Sequence, residues 1–597
     1  MTHGSYMIED EITGKAYDTR LARRLFQYLR PYLRYVALGT VSLLVSSACQ
    51  LAGPILIKIG LDNYIIPGRL EGFAHVVGLY LLLISGDFIF RFVQIYITNY
   101  LGQKAMYDLR MALFRHLQGL SLKFFDRNPV GRLVTRTTSD IEVLNELFST
   151  GLVTVIGDLA MVFGIIIAMV WLNLKLALLT FTILPLLLVI TFYFRRKMRE
   201  GFRLVRTRIA RINAFLQEAL SGMSVIQLFN QQERNDKKFD TFNFDHLEAH
   251  LKTVFYYALF FPLIDLIAAL AMAIILWYGG LSVMNGTLTF GVLVAFIQYV
   301  EKFFKPISDL SEKYNIFQAA LASSERIFGL LDTREKISDE PMPTYRDRID
   351  GQVIFRNVQF SYNEKEQVLK GINFKVSPGE KVAIVGSTGA GKTTIINLLA
   401  RFYDPTEGEI SIDGIDIRRF DKRWLRQNIG IALQDVFIFS GTVKNNIALG
   451  EDNPSMRRII EAAKATGALE FIEKLPGGFD HELTERGSTL SAGQRQLLSF
   501  ARVMYKNPRI LVLDEATSSV DSHTEHLLQQ ALERLITGRT SLIIAHRLST
   551  IRHVHRIILI HHGRIAEIGT HEELLERRGI YYSLYQLQYK DQEAVIP

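Results

Sequence analysis

A single cysteine stands among the 597 residues. Cys49 can form no intrachain disulfide, and its place inside an apolar run is that of a small core residue. An apolar stretch is also missing from the start: "MTHGSYMIEDEITGKAYD" is polar and acidic, so no cleavable signal is expected. The formal charge is +8 and the pI is near 9.2. No basic stripe interleaved with aromatics stands clear of the apolar runs, so this surplus does not point to nucleic acid. The basic residues before residue 260 instead cluster beside those runs, as the flanks of membrane spans do.

The chain has plenty of hydrophobic residues, at 49%, and its mean hydropathy of +0.15 is raised by the N-terminal half alone. Runs near Tyr35–Ile59, Ala74–Tyr96, Leu147–Leu172, Leu174–Phe194, Phe255–Tyr278 and Leu288–Phe304 are each long enough to span a bilayer as helices. Arginines and lysines precede the first run and follow the second and fourth, whereas Asn63–Phe73 and Gly279–Thr287 carry almost none. Both termini are therefore expected in the cytoplasm.

Two cytoplasmic connections, Tyr100–Glu146 and Arg195–Lys252, lack the Gly, Pro and Ser content of disordered linkers. Their apolar residues recur at helical spacing, so the spans are expected to continue as helices beyond the bilayer. Each is interrupted once, by "KFFDRNPVGR" (Lys123–Arg132) and "LSGMSVIQLFN" (Leu220–Asn230), where the helix turns back at a tip able to touch a soluble domain. Ahead of the first span, "TRLARRLFQYLRPYL" sets Leu21, Leu25, Phe26 and Leu29 on one face and arginines on the other, a pattern for a helix lying on the cytoplasmic membrane surface. Among ionisable residues inside the spans, Asp87 and Arg91 are spaced to pair, while Asp158 and Asp265 have no local partner. Helix–helix hydrogen bonding is the expected use of all of them.

The pattern changes after the polar stretch Leu331–Asp350. The strand Lys381–Val385 runs into "GSTGAGKTT" (Gly386, Ser387, Thr388, Gly389, Ala390, Gly391, Lys392, Thr393, Thr394), and a helix, Thr393–Phe402, follows. This is the phosphate-cradling G-x-x-x-x-G-K-[ST] loop in its required strand-to-helix setting. Backbone N–H groups wrap phosphate oxygens, Lys392 reaches the β and γ phosphates, and Thr393 can ligate Mg²⁺. A second apolar strand, "RILVLDEATSSVD", ends in Asp514, placed to hold Mg²⁺, and Glu515, placed to polarise the attacking water. A third ends at His546, near where a γ-phosphate would lie. Gln434 follows another strand, within reach of the metal or the water.

Taken together, these residues resemble one family: the ATP-binding cassette exporters of the half-transporter type, over nearly the whole chain. The resemblance implies a helical membrane domain of six transmembrane helices over residues 1–330, a linker over 331–350 and a cytoplasmic α/β P-loop ATPase domain over 351–597. It implies ATP and Mg²⁺ as cofactors, Gln434 as the Q-loop, Leu490 to Gln494 as the signature, Ser518 to Asp521 as the D-loop and His546 as the switch histidine. Tyr362 takes the place of the aromatic that stacks on adenine, and the two tips take the place of coupling helices. The expected activity is ATP-driven export or flipping of hydrophobic or amphipathic compounds across the inner membrane of a prokaryote. Reversed transport and a membrane-anchored ATPase sensor stand as alternatives; the intact Glu515 argues against a channel that merely gates on ATP.

In such proteins two cassettes pair head to tail, so Ser491, Ala492, Gly493 and Gln494 would close on a nucleotide held by the partner subunit. The family pattern there is L-S-G-G-Q, and this chain reads L-S-A-G-Q. The added Cβ is expected to restrict approach and backbone conformation. With Glu515 and His546 intact, the altered signature points to the catalytically intact subunit of a heterodimer in preference to a homodimer.

Overall fold

The computed structural model describes residues 19–69, 71–337, 342–346, 348–363, 366–514, 522–545 and 548–588. They form two compact units. One contains the described residues up to Leu117 together with Gly131–Thr333; the other contains Gln118–Val130 and the described residues from Arg334 onward.

The first unit is helical. It contains α1 (Thr19–Leu29), α2 (Leu33–Gly60) and α3 (Phe73–Gln118), whose last residue begins the second unit with α4 (Leu122–Arg127). From α5 (Val130–Thr137) onward the order is α6 (Ser139–Glu146), α7 (Leu152–Leu172), α8 (Leu174–Phe181), α9 (Leu184–Ser221), α10 (Met223–Leu228), α11 (Gln232–Ile274), α12 (Gly280–Met284) and α13 (Phe290–Asp332). Among the described residues, five helical stretches are long and apolar enough to cross a membrane. The sixth expected span opens α13, where Glu301, Lys302 and Lys305 break the apolar run, so composition alone does not single it out.

Helices run on past the apolar runs: α3, α9 and α11 are 46, 38 and 43 residues long. Each interruption holds a short helix, α4 in the first and α10 in the second. The amphipathic helix α1 is also present, with part of its leucine face turned inward. Leu25 and Leu29 are buried while Phe26 is exposed, because α1 packs on α13. There Arg24 bonds both oxygens of Asp332, at 2.6 and 2.9 Å, and stacks 4.4 Å above the Phe328 ring.

Several polar groups within the spans are satisfied across helices, where the medium offers no water. Pro54 lacks the N–H that would bond the carbonyl of Gln50; Lys302 of α13 donates to that oxygen instead, at 2.9 Å. One turn along, the Tyr299 hydroxyl donates to the Leu51 carbonyl at 2.6 Å. Asp87 takes Ser46 and Gln50 of α2, at 2.5 and 2.9 Å, and not Arg91. Asp158 pairs with Lys313 of α13. Asp265 is exposed, and its carboxylate has no hydrogen bond or ion pair to another described residue.

The second unit is built on two sheets. One is antiparallel in the order β2 (Leu369–Val376), β1 (Val353–Phe360), β4 (Glu407–Ile412), β5 (Ile415–Asp416). After β6 (Ile429–Ala432), the strands β7 (Gly441–Thr442) and β8 (Glu482–Leu483) pair as a small ribbon. The larger sheet adds β3 (Lys381–Val385), β9 (Ile510–Asp514), β10 (Thr540–Ile544), β11 (Arg556–His561) and β12 (Arg564–Gly569), in the order β12-β11-β3-β10-β9-β6. Only β12 runs antiparallel. Strands β3, β9 and β10 are buried almost throughout, as expected for strands covered on both faces.

The exchange at Pro54 gives a testable result. Replacing Lys302 with Met leaves the Gln50 carbonyl without its donor and should cost about 1–3 kcal/mol. Pro54→Ala restores a backbone donor, so the loss from Lys302→Met should shrink in that background. Denaturation of the four proteins in detergent checks this; equal losses in both backgrounds would refute it.

Candidate nucleotide site

Parallel strands put their C-terminal ends on one edge, where open α/β sheets bind ligands. The register aligns those ends: Ile384 and Asp514 both stand opposite Ile544, and Leu513 stands opposite Ala432. The phosphate loop leaves β3 at this edge, Asp514 ends β9, and Gln434 lies two residues beyond β6. His546 follows β10 by two residues but lies, with Glu515 and Ser518 to Asp521, outside the described residues.

The loop is shaped by its glycines. Gly386 has φ +154°, and a Cβ there would stand 2.2 Å from the carbonyl oxygen of Ile560 on β11. Gly391 has φ +104° and caps α14 (Lys392–Leu399). This helix begins one residue earlier than expected and stops before Phe402. A Cβ at Gly391 would meet the Leu369 side chain at 2.7 Å. Neither position accepts another residue without strain.

Lys392 turns back into the loop and donates to the carbonyls of Gly386 and Ser387, at 2.7 and 3.0 Å. It is buried, and desolvation holds its pKa below the ordinary lysine value, partly offset by the charge of Asp514. Asp514 is itself buried. Ser387, Thr388, Gly389 and Thr393 are exposed, whereas Ala390 and Thr394 are buried. The arrangement is an anion cradle with an amine at its floor, an open hydroxyl at Thr393 and a carboxylate nearby. These groups fit a nucleotide triphosphate and a divalent cation. Gln434 is exposed, and no hydrogen bond joins its side chain to another described residue.

Tyr362 is fixed beside the loop. Its hydroxyl lies 3.2 Å from Thr394 Oγ1 and accepts from Asn397 at 3.3 Å, both on α14. Its ring meets Phe360 and Tyr403 edge-on, with centroids 4.8 and 5.2 Å apart. Helix α4 reaches this aromatic group, since Asp126 accepts the Tyr403 hydroxyl and Arg127 donates to the Tyr362 carbonyl at 3.3 Å. Burial, and then the hydrogen bond to Asp126, push the Tyr403 hydroxyl well above the ordinary tyrosine pKa. Tyr403 and Asp126 were not among the expected site residues. The F-F-D run inside the first tip was the available signal, but a carboxylate's long-range partner is not written in local pattern.

The signature opens a helix, Ala492–Lys506, and Ser491 is its N-cap. The Ser491 hydroxyl accepts from the Gln494 N–H at 3.2 Å, and the Gln494 side chain accepts from the Ser491 N–H at 2.9 Å. The hydroxyl hydrogen of Ser491 stays available for an external acceptor, as do the first N–H groups of the helix. Ser491 and Ala492 are exposed, and Gly493 is buried. Ala492 occupies the first helical position and is absent from the residues of positive φ. The expected restriction of its backbone therefore has no cost in this conformation.

Comparison with known proteins now decides the family. Residues 36–307 match the ABC transporter transmembrane region and residues 369–518 match the ABC transporter family. The chain belongs to the ABC transporters. It is 41% identical to the ABC transporter ATP-binding protein YknV of Bacillus subtilis (strain 168), covering 98% of this chain and 97% of that one. It is 36% identical to the ATP-dependent lipid A-core flippase of Syntrophus aciditrophicus (strain SB), covering 96% and 95%. The solved structure of a bacterial Atm1-family ABC exporter with ATP bound matches with a TM-score of 0.74 at 30% identity, covering 94% of this transporter and 98% of that chain. The transporter is thus an integral membrane protein of the exporter-type half-transporter fold. Its soluble unit is a cytoplasmic nucleotide-binding ATPase, and hydrolysis there is coupled to transport.

Lys392 supplies a test of the cradle. Lys392→Ala removes the amine that a triphosphate would meet and a group that burial disfavours as a cation. The nucleotide-free variant should melt close to the parent, and its stabilisation by MgATP should vanish. An unchanged MgATP-dependent melting shift would place the phosphates elsewhere.

Proposed function

We propose that this transporter is the catalytically intact half of a heterodimeric exporter that moves amphipathic cargo, with ATP hydrolysed between its phosphate loop and the partner subunit's signature. The observation that carries the reading is the signature helix. Ser491 and Ala492 are exposed at its start, and Ser491 is bonded only to Gln494, not to this chain's own phosphate loop. Such an end, with free N–H groups and positive potential, is half of a phosphate site. The methyl of Ala492 occupies space beside Ser491 through which a phosphate must approach. A partner with the full signature would complete this chain's own site.

In that site Lys392 and the loop N–H groups hold the triphosphate, and Tyr362 stacks on the base. Thr393, Asp514 and Gln434 would hold Mg²⁺, which would supply positive charge against the triphosphate. Glu515 takes the proton of the attacking water, and His546 contacts the γ-phosphate. Hydrolysis then opens the paired cassettes, and α4 and α10 carry that motion toward the spans. Val225 and Leu228 are exposed on α10, with Phe229 just past its end, an apolar tip suited to the partner's cassette. Amphipathic cargo is supported by the lipid A-core flippases among its relatives.

ATP turnover by this chain alone, reconstituted in lipid, tests the pairing. The expected result is turnover no greater than that of Glu515→Gln, with a marked gain for Ala492→Gly. Full turnover by the unmodified chain, lost in Glu515→Gln, would establish a homodimer instead. The adenine role has its own check. Tyr362→Ala should weaken ATP binding roughly fivefold or more through lost stacking, while Tyr362→Phe should bind nearly as well as the parent.

A further inference from the structure

One face of α9 is exposed among the described residues and carries none of the expected nucleotide-site residues. The opposite side of the helix is fully used: Leu187, Phe194, Gly201, Ile212 and Phe215 are buried. Gly201 permits close contact with α11, since a Cβ there would stand 2.6 Å from the Thr253 hydroxyl. The outward face follows helical spacing through Leu188, Phe192, Arg196, Arg199, Arg203 and Arg206. Its upper turns, inside the expected fourth span, expose Leu188 at 48% and Phe192 at 66%. Its lower turns are wholly cationic. Arg196 lies 3.6 Å from Glu200, whereas the side chains of Arg199, Arg203 and Arg206 are exposed and have no hydrogen bond or ion pair to another described residue.

The length of this stripe narrows its partner. At 1.5 Å per residue, Arg206 lies about 18 Å beyond Phe194, where the apolar run ends. The headgroup layer on one side of a bilayer is only roughly 5–8 Å deep. A resting bilayer can therefore meet Arg196 and Arg199 but not Arg203 and Arg206. A single amphipath whose head is longer than that layer, with its tail on the apolar turns and its phosphates spread down the arginines, would use the whole face, and guanidinium groups suit phosphate oxygens in particular.

We propose that this face of α9 binds an anionic amphipath from the cytoplasmic leaflet, its acyl tail against Leu188 and Phe192 and its phosphate-bearing head on Arg199, Arg203 and Arg206. The assignment rests on the reading of the cargo as amphipathic and names its charge. A head with two phosphates fits the stripe better than a head with one.

The test is lipid binding by the full chain in a neutral detergent, with no ATP and no partner subunit. The probes are cardiolipin, phosphatidylglycerol and phosphatidylcholine. Affinity should fall in that order and weaken with salt. Replacing Arg199, Arg203 and Arg206 together with Gln should weaken cardiolipin binding by at least about tenfold, and replacing them with Lys should weaken it much less. Phe192→Ser should weaken cardiolipin binding and leave the affinity for soluble glycerol phosphate unchanged. MgATP-dependent thermal stabilisation should persist in every variant and so reports that each is folded. Equal binding of cardiolipin by the Gln variant would overturn the proposal, as would glycerol phosphate displacing the lipid at the lipid's own concentration. Because nothing in this assay needs turnover, failure here leaves the pairing of cassettes untouched, and a homodimer would leave this result untouched.

Discussion

The close approach at Gly386 governs the soluble unit. Its φ is +154°, and a Cβ on that residue would come within 2.2 Å of the Ile560 carbonyl oxygen, so the chain can turn back over the sheet edge only because no side chain is there. That turn brings Lys392 under the loop, where it meets the Gly386 and Ser387 carbonyls. Since β3, β10, β9 and β6 are parallel neighbours, the turn also faces Asp514 and the segment that leads to Gln434. Moving the loop outward by a side chain's width would separate the amine from the carboxylate. The site depends on backbone proximity first and on side-chain chemistry second.

The membrane unit answers to a related constraint. A proline in α2 frees one carbonyl, and a lysine from α13 occupies it; an aspartate in α3 is satisfied by a serine and a glutamine of α2. These bonds tie α13 to α2, and α2 to α3, at the level where no water can substitute. Helix α13 ends at Asp332, where Arg24 and Phe328 hold α1. The helix that begins among the spans is thus tethered at both ends by polar contacts.

Much of this is legible in the sequence. Strand Lys381–Val385 can be placed to the residue because an apolar run stops at a glycine loop of fixed spacing. The helical extensions are legible because periodicity continues past the spans, and the tips because it breaks. The partners of Asp87 and Asp158 are not legible, since they come from other helices and local spacing offers Arg91 instead. The docking of α1 on α13 escapes a local reading for the same reason: Asp332 and Phe328, which hold Arg24, lie far along the chain. Tyr362 is identifiable as an aromatic beside the loop, while its anchoring by Thr394 and its link through Tyr403 to Asp126 arise from tertiary packing.

Ala492 illustrates how local geometry refines a pattern. As a departure from a glycine, it suggests a strained backbone; placed at the first helical turn after a capping box, it is in a conformation any residue accepts. Whatever the alanine does must then act through its methyl group, outward, on a molecule that approaches Ser491. In the proposed pairing, such an effect is invisible to the fold of this chain and would be felt by a nucleotide held on the facing subunit. The substitution can therefore weaken one composite site while leaving the stability of its own domain, and the site built on Lys392, intact.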